Sequence, residues 1–254
     1  MQKTYNFYQN LGYWFLLLIV LIVPAFYTTY FTTLFHGHLP IIHVHFVLVM
    51  LWIAMLIAQP FLIKFKKLSI HRLLGKISYV LVPLVLLSGF LMIRLSYYRQ
   101  IDLGQAQVAE GLNQHTNSQI LQHAADFEAI AVFYILWFAI FYSLAIINKR
   151  RSAAHARYMV AASLTLLGPT VDRIMLIPLG MEYLPGGISS MWVSFFLIDL
   201  VLLLLLYKDY QHKRPLKTLL VCLLIYVPGQ FLHFVILGHG WWKDVMSFVM
   251  LPKP

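Results

Sequence analysis

Four histidines in this chain stand at matching ends of two consecutive apolar hairpins. His45 opens one long apolar segment, and His71 opens the next after a turn carrying Lys64, Lys66 and Lys67. His123 and His155 repeat the layout, the latter following Lys149, Arg150 and Arg151. If these segments cross a membrane, His45 and His123 share one level, and His71 and His155 share the opposite one. Two stacked pairs of facing imidazoles are the ligand set for two b-type haems, each iron held axially from both sides. Neither His71 nor His155 has a carboxylate on its own turn, whereas a hydrolytic zinc site wants a third ligand or a general base. Gly75, one turn beyond His71, would let a flat macrocycle come close to the backbone.

The elements that must position these groups are membrane helices. Apolar residues make up 61% of the 254 residues and charged ones 11%, with a mean hydropathy of +0.76, far from the balance of a water-soluble domain. About 20 apolar residues span the hydrocarbon core as helix. Such runs fall near 11–34, 41–63, 73–95, 122–147, 157–179, 189–207 and 217–237. The expected fold class is all-α: a polytopic helical bundle of seven transmembrane helices, one integral membrane domain over residues 1–254. The region of about 41–179 would form its four-helix, histidine-bearing core. The two hairpins run in the same sense, so a pseudo-twofold axis along the membrane normal would set helix two beside helix four and helix three beside helix five. The first run is too long for a signal-peptide core and is expected to remain as helix one, kinked at Pro24. The polar stretch 96–121 reads as a long loop with a short surface helix around Gln105 to Leu112. Residues 180–187 read as a turn, and Trp241, Trp242 and Lys243 as an interfacial anchor.

Lys and Arg gather in the turns 64–72, 149–157 and 208–217, while the turns 35–43 and 180–188 carry none and 96–121 carries only Arg99. The positive-inside rule then puts the basic turns and the N-terminus in the cytoplasm, in a bacterial inner membrane. The formal charge of +10 is read as this topological signal plus affinity for anionic headgroups of the lipid bilayer, not as a nucleic-acid surface. Cys222 stands alone, so no disulfide framework or cysteine zinc site exists.

Other polar residues at membrane depth compete for a role. Trp52 and Gln59 follow His45 at seven and fourteen positions, nearly on one helical face, forming a stripe that looks into the bundle. His43 points elsewhere around the same helix. Asp126 lies one turn beyond His123, and His233 sits far along the last span, so His45, His123, Asp126 and His233 form an alternative zinc set. Asp172, Arg173, Asp199 and His233 are ionisable groups in apolar runs, expensive there unless they meet partners or a polar cavity. They define either an internal ion pair that fixes packing or a polar site for quinone, propionate or proton. His36, His38, His115, His212 and His239 read as solvated loop or interface residues.

The run from His45 to Trp52, a histidine followed by an apolar turn and a tryptophan, resembles the ligand helix of the cytochrome b561 superfamily. His71-Arg-Leu-Leu-Gly75 resembles that superfamily's His-x-x-Leu-Gly element, and is similar to the HRxxG motif of bacterial membrane proteins of unknown function. The resemblance spans residues 41–160. It implies two haem b groups, one held by helices two and four (His45, His123) and one by helices three and five (His71, His155). It also implies transmembrane electron transfer, as a membrane-bound oxidoreductase between a donor such as quinol and a redox partner on the other face. The rival readings are an intramembrane zinc-dependent lipid hydrolase and a non-catalytic membrane subunit or transporter.

The charge asymmetry makes a direct prediction. In a Cys222→Ala background, a membrane-impermeant maleimide added outside intact cells should label Gln105→Cys and spare Lys66→Cys. The reverse pattern overturns the orientation.

Overall fold

The computed structural model describes residues 10–35 and 37–251. Among these, seven apolar segments are long enough to cross a bilayer: Leu11–Phe31, Pro40–Lys64, Leu68–Ala109, Asn117–Ile147, Ser152–Leu176, Met191–Gln211 and Lys217–Ile236. They comprise α1 (Leu11–Phe26) with a π-helical turn (Tyr27–Phe31), α2 (Pro40–Lys64), α3 (Leu68–Ala109), α4 (Asn117–Ile147), α5 (Ser152–Leu164), α6 (Leu167–Leu176), α7 (Met191–Gln211) and α8 (Lys217–Ile236). A short α9 (Gly240–Val249) follows. Helix is the expected answer, because hydrocarbon offers no partner to an open N–H or C=O. The chain is an all-α polytopic bundle. Its basic turns share one end, called here the basic face.

Consecutive helices pack side by side from α1 to α4. Helix α4 stands at the centre, touching α3, α5, α8 and α9, while α1 also leans on α6 and α7 packs on α6 and α8. Helices α2 and α4 meet through Trp52, whose ring lies 5.2 Å from Phe138 and 5.8 Å from Tyr142. The larger core fills the space between α1, α2, α3, α4, α5, α7 and α8, with Trp52, Phe141, Phe195 and Tyr226 among its most buried side chains.

Two departures from the sequence expectations matter. The polar stretch after residue 95 is not a long loop with a separate surface helix: α3 runs on to Ala109 and α4 already starts at Asn117. Good helix formers such as Gln105, Ala106 and Gln107 permit this, and contacts from the far end of the chain hold it. Arg94 Nε donates to the Met250 carbonyl at 2.7 Å, Tyr97 and Ser247 hydroxyls meet at 3.1 Å, and Tyr98 donates to the Leu251 carbonyl. A capping box of Thr116 and Gln119 starts α4 and satisfies its first free N–H groups. At 42 residues, α3 is about 63 Å long, twice the hydrocarbon thickness of about 30 Å. Helix α9 covers this projecting hairpin, so the expected aromatic anchor divides. Trp241 is exposed, whereas Trp242 is buried and donates from Nε1 to the Ala125 carbonyl at 3.0 Å.

The fifth span is broken where a continuous helix was expected. Pro169 lacks the N–H that would bond the Thr165 carbonyl, and its ring crowds that carbonyl, so α5 stops at Leu164 and α6 restarts at Leu167. The turn near 180–187 carries a two-residue hairpin, Tyr183–Leu184 with Ile188–Ser189. Gly186 and Gly187 take positive φ there, 89° and 76°, a conformation costly for other residues.

Candidate functional site

At the basic face the two hairpins deliver His71, in the first turn of α3, and His155, in the first turn of α5, within electrostatic reach of each other. His155 Nδ1 lies 2.9 Å from the Ala145 carbonyl. A carbonyl only accepts, so the proton sits on Nδ1 and the Nε2 lone pair is left bare. A bond of this kind sets the tautomer and the orientation of the ring, as it does for histidines that ligate metals elsewhere. His71 is held through its backbone, whose carbonyl accepts from Gln59 Nε2 at 3.3 Å. Its Nδ1 is buried without a hydrogen-bond partner, as are Gln59 Oε1 and Trp52 Nε1. One turn on, a Cβ placed at Gly75 would meet nothing within 4 Å. Ser78 follows on the same face, donating to the Gly75 carbonyl at 2.7 Å and meeting the Tyr142 hydroxyl at 2.8 Å. The stripe His45, Trp52, Gln59 does face into the bundle, and its lower two members border this corner.

At the opposite end the expected partners do not meet. His45 Nδ1 lies 3.0 Å from Ser88 Oγ, whose single proton goes to the Val85 carbonyl at 3.0 Å. His45 is therefore the donor, and its Nε2 lone pair is also bare. A Cβ on the adjacent Gly89 would touch both Ile135 and the His45 ring, which sets Ile135 at the His45 level. His123 lies twelve residues before Ile135, about 18 Å further along α4, and is exposed. The level match assumed that α4 begins at the bilayer boundary, whereas it begins well beyond it.

The alternative zinc set is likewise dispersed: among the described residues no three His, Cys, Asp or Glu side chains gather around a common point. Asp126 instead accepts from the Gly238 N–H at 3.1 Å and from Gln122 at 2.9 Å, tying the α8–α9 turn to α4. His233 is buried with neither ring nitrogen hydrogen-bonded, enclosed by Phe133, Phe195 and Phe234 at centroid distances of 5.9, 6.0 and 4.9 Å. His38, expected to be solvated, stacks on Tyr30 at 5.5 Å and bonds Thr33 at 2.8 Å, while His43 bonds Tyr30 at 3.0 Å. His36 lies outside the described residues. His115 is exposed, as expected.

The intramembrane polar residues occupy separate places. Asp172 and Arg173 do not pair. Asp172 accepts from Ser194 Oγ at 2.6 Å and Tyr134 Oη at 3.0 Å. Arg173 reaches Thr29 in the π turn at 3.3 Å and stacks over Phe26 at 4.6 Å. Asp199 accepts from Gln230 at 3.1 Å. Neighbouring helix residues point about 100° apart, which is why the sequence-adjacent pair separates. The buried ion pair lies elsewhere: Arg157 on α5 meets Asp209 on α7 at 2.7 Å. Both residues sit in basic turns, where Arg157 reads as part of the topology signal and Asp209 is lost among the cations, so nothing in the chain marks the pair. Tyr134, Ser194, Ser88 and Tyr142 carried no mark either, being hydroxyls scattered through apolar runs.

No protein-family model, curated protein or solved structure matches this chain.

The Asp172 network rests on one close approach. A Cβ at Gly168 would fall inside the Tyr134 ring, so Gly168→Ala should displace the tyrosine and destabilise the bundle by about 1–3 kcal/mol. Tyr134→Phe, which removes only a hydroxyl from a buried carboxylate, should cost about 1.5–3 kcal/mol. Thermal unfolding in detergent, followed by tryptophan fluorescence, measures both. In a Tyr134→Leu background Gly168→Ala should lose its penalty, and an undiminished penalty there would show that the ring is not what the new methyl strikes.

Proposed function

We propose that the protein is a membrane redox protein that binds one b-type haem between His71 and His155, at the basic face. The observation that carries this reading is the convergence of two imidazoles from separate hairpins, one with its Nδ1 proton committed to a carbonyl and Nε2 left bare. The group fits the residues present on three counts. Each histidine offers an imidazole without a competing carboxylate, the corner retains three buried polar atoms without partners, and the side of Gly75 is open. Arg72, Lys76, Lys149 and Arg150 flank this end of the bundle and supply cations for propionates. A haem bound there would supply one-electron chemistry.

The chain's own part is binding, orientation and exclusion of water. Ala145 holds the His155 tautomer, Gln59 braces the first turn of α3, and Trp52 and Phe138 close the corner toward the membrane centre. One haem per chain is proposed. His45 keeps a bare Nε2, but with His123 far along α4 the second pair has no opposed ligand. By the positive-inside rule the centre lies near the cytoplasmic leaflet, and its reaction partner is a soluble or lipid-dissolved one-electron donor or acceptor such as quinol.

Expression with a haem precursor and purification in detergent tests this. The reduced-minus-oxidised spectrum should show b-type bands at about one haem per chain. His71→Ala and His155→Ala should each remove most of the haem, while His123→Ala keeps it. Gly75→Leu, which fills the open side without touching a ligand, should lower haem content with the far-UV helical signal unchanged. Absence of haem from the reconstituted protein, or full content in both ligand variants, overturns the proposal.

A further inference from the structure

On the basic-face half of the bundle, α1 and α7 part company. A crevice of about 310 Å³ lies between them, floored by α5. Leu18 and Leu21 form one wall, Leu204 the other and Leu164 part of the floor. Among its lining residues the polar groups are the Ser163 hydroxyl, the Lys208 ammonium and the Trp14 indole N–H. Ser163 spends its proton on the Val160 carbonyl at 2.7 Å, so the interior is set up for hydrocarbon rather than for a polar headgroup. Packed protein interiors leave few voids larger than a water molecule, and this volume reaches the lower end of ligand cavities.

The mouth of the crevice has a different character. Lys208 closes its basic end, beside Asp209, which binds Arg157 at 2.7 Å and has Arg214 at 4.0 Å. Arg157 and Arg214 thus face the one carboxylate, and with Lys208 at the preceding position this end of the crevice carries three cations to one anion at headgroup level. Basic pockets between membrane helices at such a level select anionic lipid headgroups.

We propose that this crevice is a binding site for one anionic glycerophospholipid of the leaflet at the basic face. One acyl chain fills the space between α1 and α7, and the phosphate lies against Lys208. The lipid substitutes for the missing α1–α7 packing. This site is separate from the His71–His155 corner, and the test below reads no haem signal, so either proposal can fail alone.

Native mass spectrometry of the full chain, released from detergent micelles doped with equal phosphatidylglycerol and phosphatidylethanolamine, is the experiment. The wild type should retain one phosphatidylglycerol in preference to phosphatidylethanolamine. Lys208→Gln should reduce that preference about five-fold, the equivalent of one interfacial cation. Leu204→Trp, which fills the crevice from the membrane side, should abolish retention of either lipid and leave the unfolding temperature in lipid-free detergent unchanged or higher. Retention indifferent to headgroup, an isoprenoid quinone in place of phospholipid, an unchanged preference in Lys208→Gln, or lipid surviving in Leu204→Trp would each overturn the assignment.

Discussion

Inside hydrocarbon every main-chain carbonyl that leaves a helix needs a donor supplied by the protein itself, and the arrangement of this bundle follows from how that need is met at the break in the fifth span. The two turns around Thr165 and Leu166 free carbonyls at the end of α5. Tyr226, reaching across from α8, donates to Ala161 at 2.7 Å, Thr165 donates back to Ala162 at 2.7 Å, and the Leu166 N–H reaches Ser163 at 3.1 Å. With the break sealed, α6 departs from the line of α5 and presents Asp172 to the hydroxyls of Tyr134 and Ser194, so α4, α6 and α7 are joined by one carboxylate. Without these hydroxyls the bend would leave open carbonyls in an apolar medium, a penalty of several kcal/mol for each group.

Helix α4 supplies the other half of that arrangement. Trp137 packs on Gly229 of α8, where a side chain would overlap the indole, and Phe141 packs on Tyr226 at 4.7 Å. Small residues at these crossings let the backbones approach, as membrane bundles require in the absence of a hydrophobic drive between helices. The Arg157–Asp209 pair then joins α5 to α7 at the basic face. Its two charges are buried, so loss of either partner leaves the other uncompensated, which costs about 3–5 kcal/mol.

The spans were legible because length and apolarity are properties of the chain itself. The projecting hairpin was not. Residues 96–109 are polar enough to read as loop, and what keeps them helical is Met250, Ser247 and Leu251, some 150 positions away. That error carried over to the site. His45 and His123 looked level only because each stands near the start of an apolar run, yet α4 starts six residues before His123 and well outside the apolar zone. His71 and His155 each stand in the first turn of a helix that follows a tight basic turn, and a tight turn leaves little room for such a shift in level. The broken span was also written in the chain, at Gly168–Pro169, but a hydropathy reading has no place for it. The hydroxyl partners of Asp172 were illegible for a simpler reason: a serine or tyrosine in an apolar run gives no sign of what it faces.

The two ends of the bundle differ in what they leave undone. Away from the basic face the polar groups are largely complete. Asp172 has both its donors, Asp126 holds the α8–α9 turn, Asp199 has Gln230, and His45 has Ser88; His233 and one oxygen of Glu128 are the exceptions. Toward the basic face Trp52 Nε1, Gln59 Oε1 and His71 Nδ1 remain without partners along the seam between the first hairpin and α4. A buried indole N–H, amide oxygen and imidazole nitrogen are each costly when unmatched. Two of the three lie on the face of α2 that looks toward His71. An indole N–H, an amide oxygen and an imidazole nitrogen are thus gathered in one corner, beside an imidazole fixed by Ala145. That imbalance, more than the presence of histidines, separates this corner from the rest of the membrane interior.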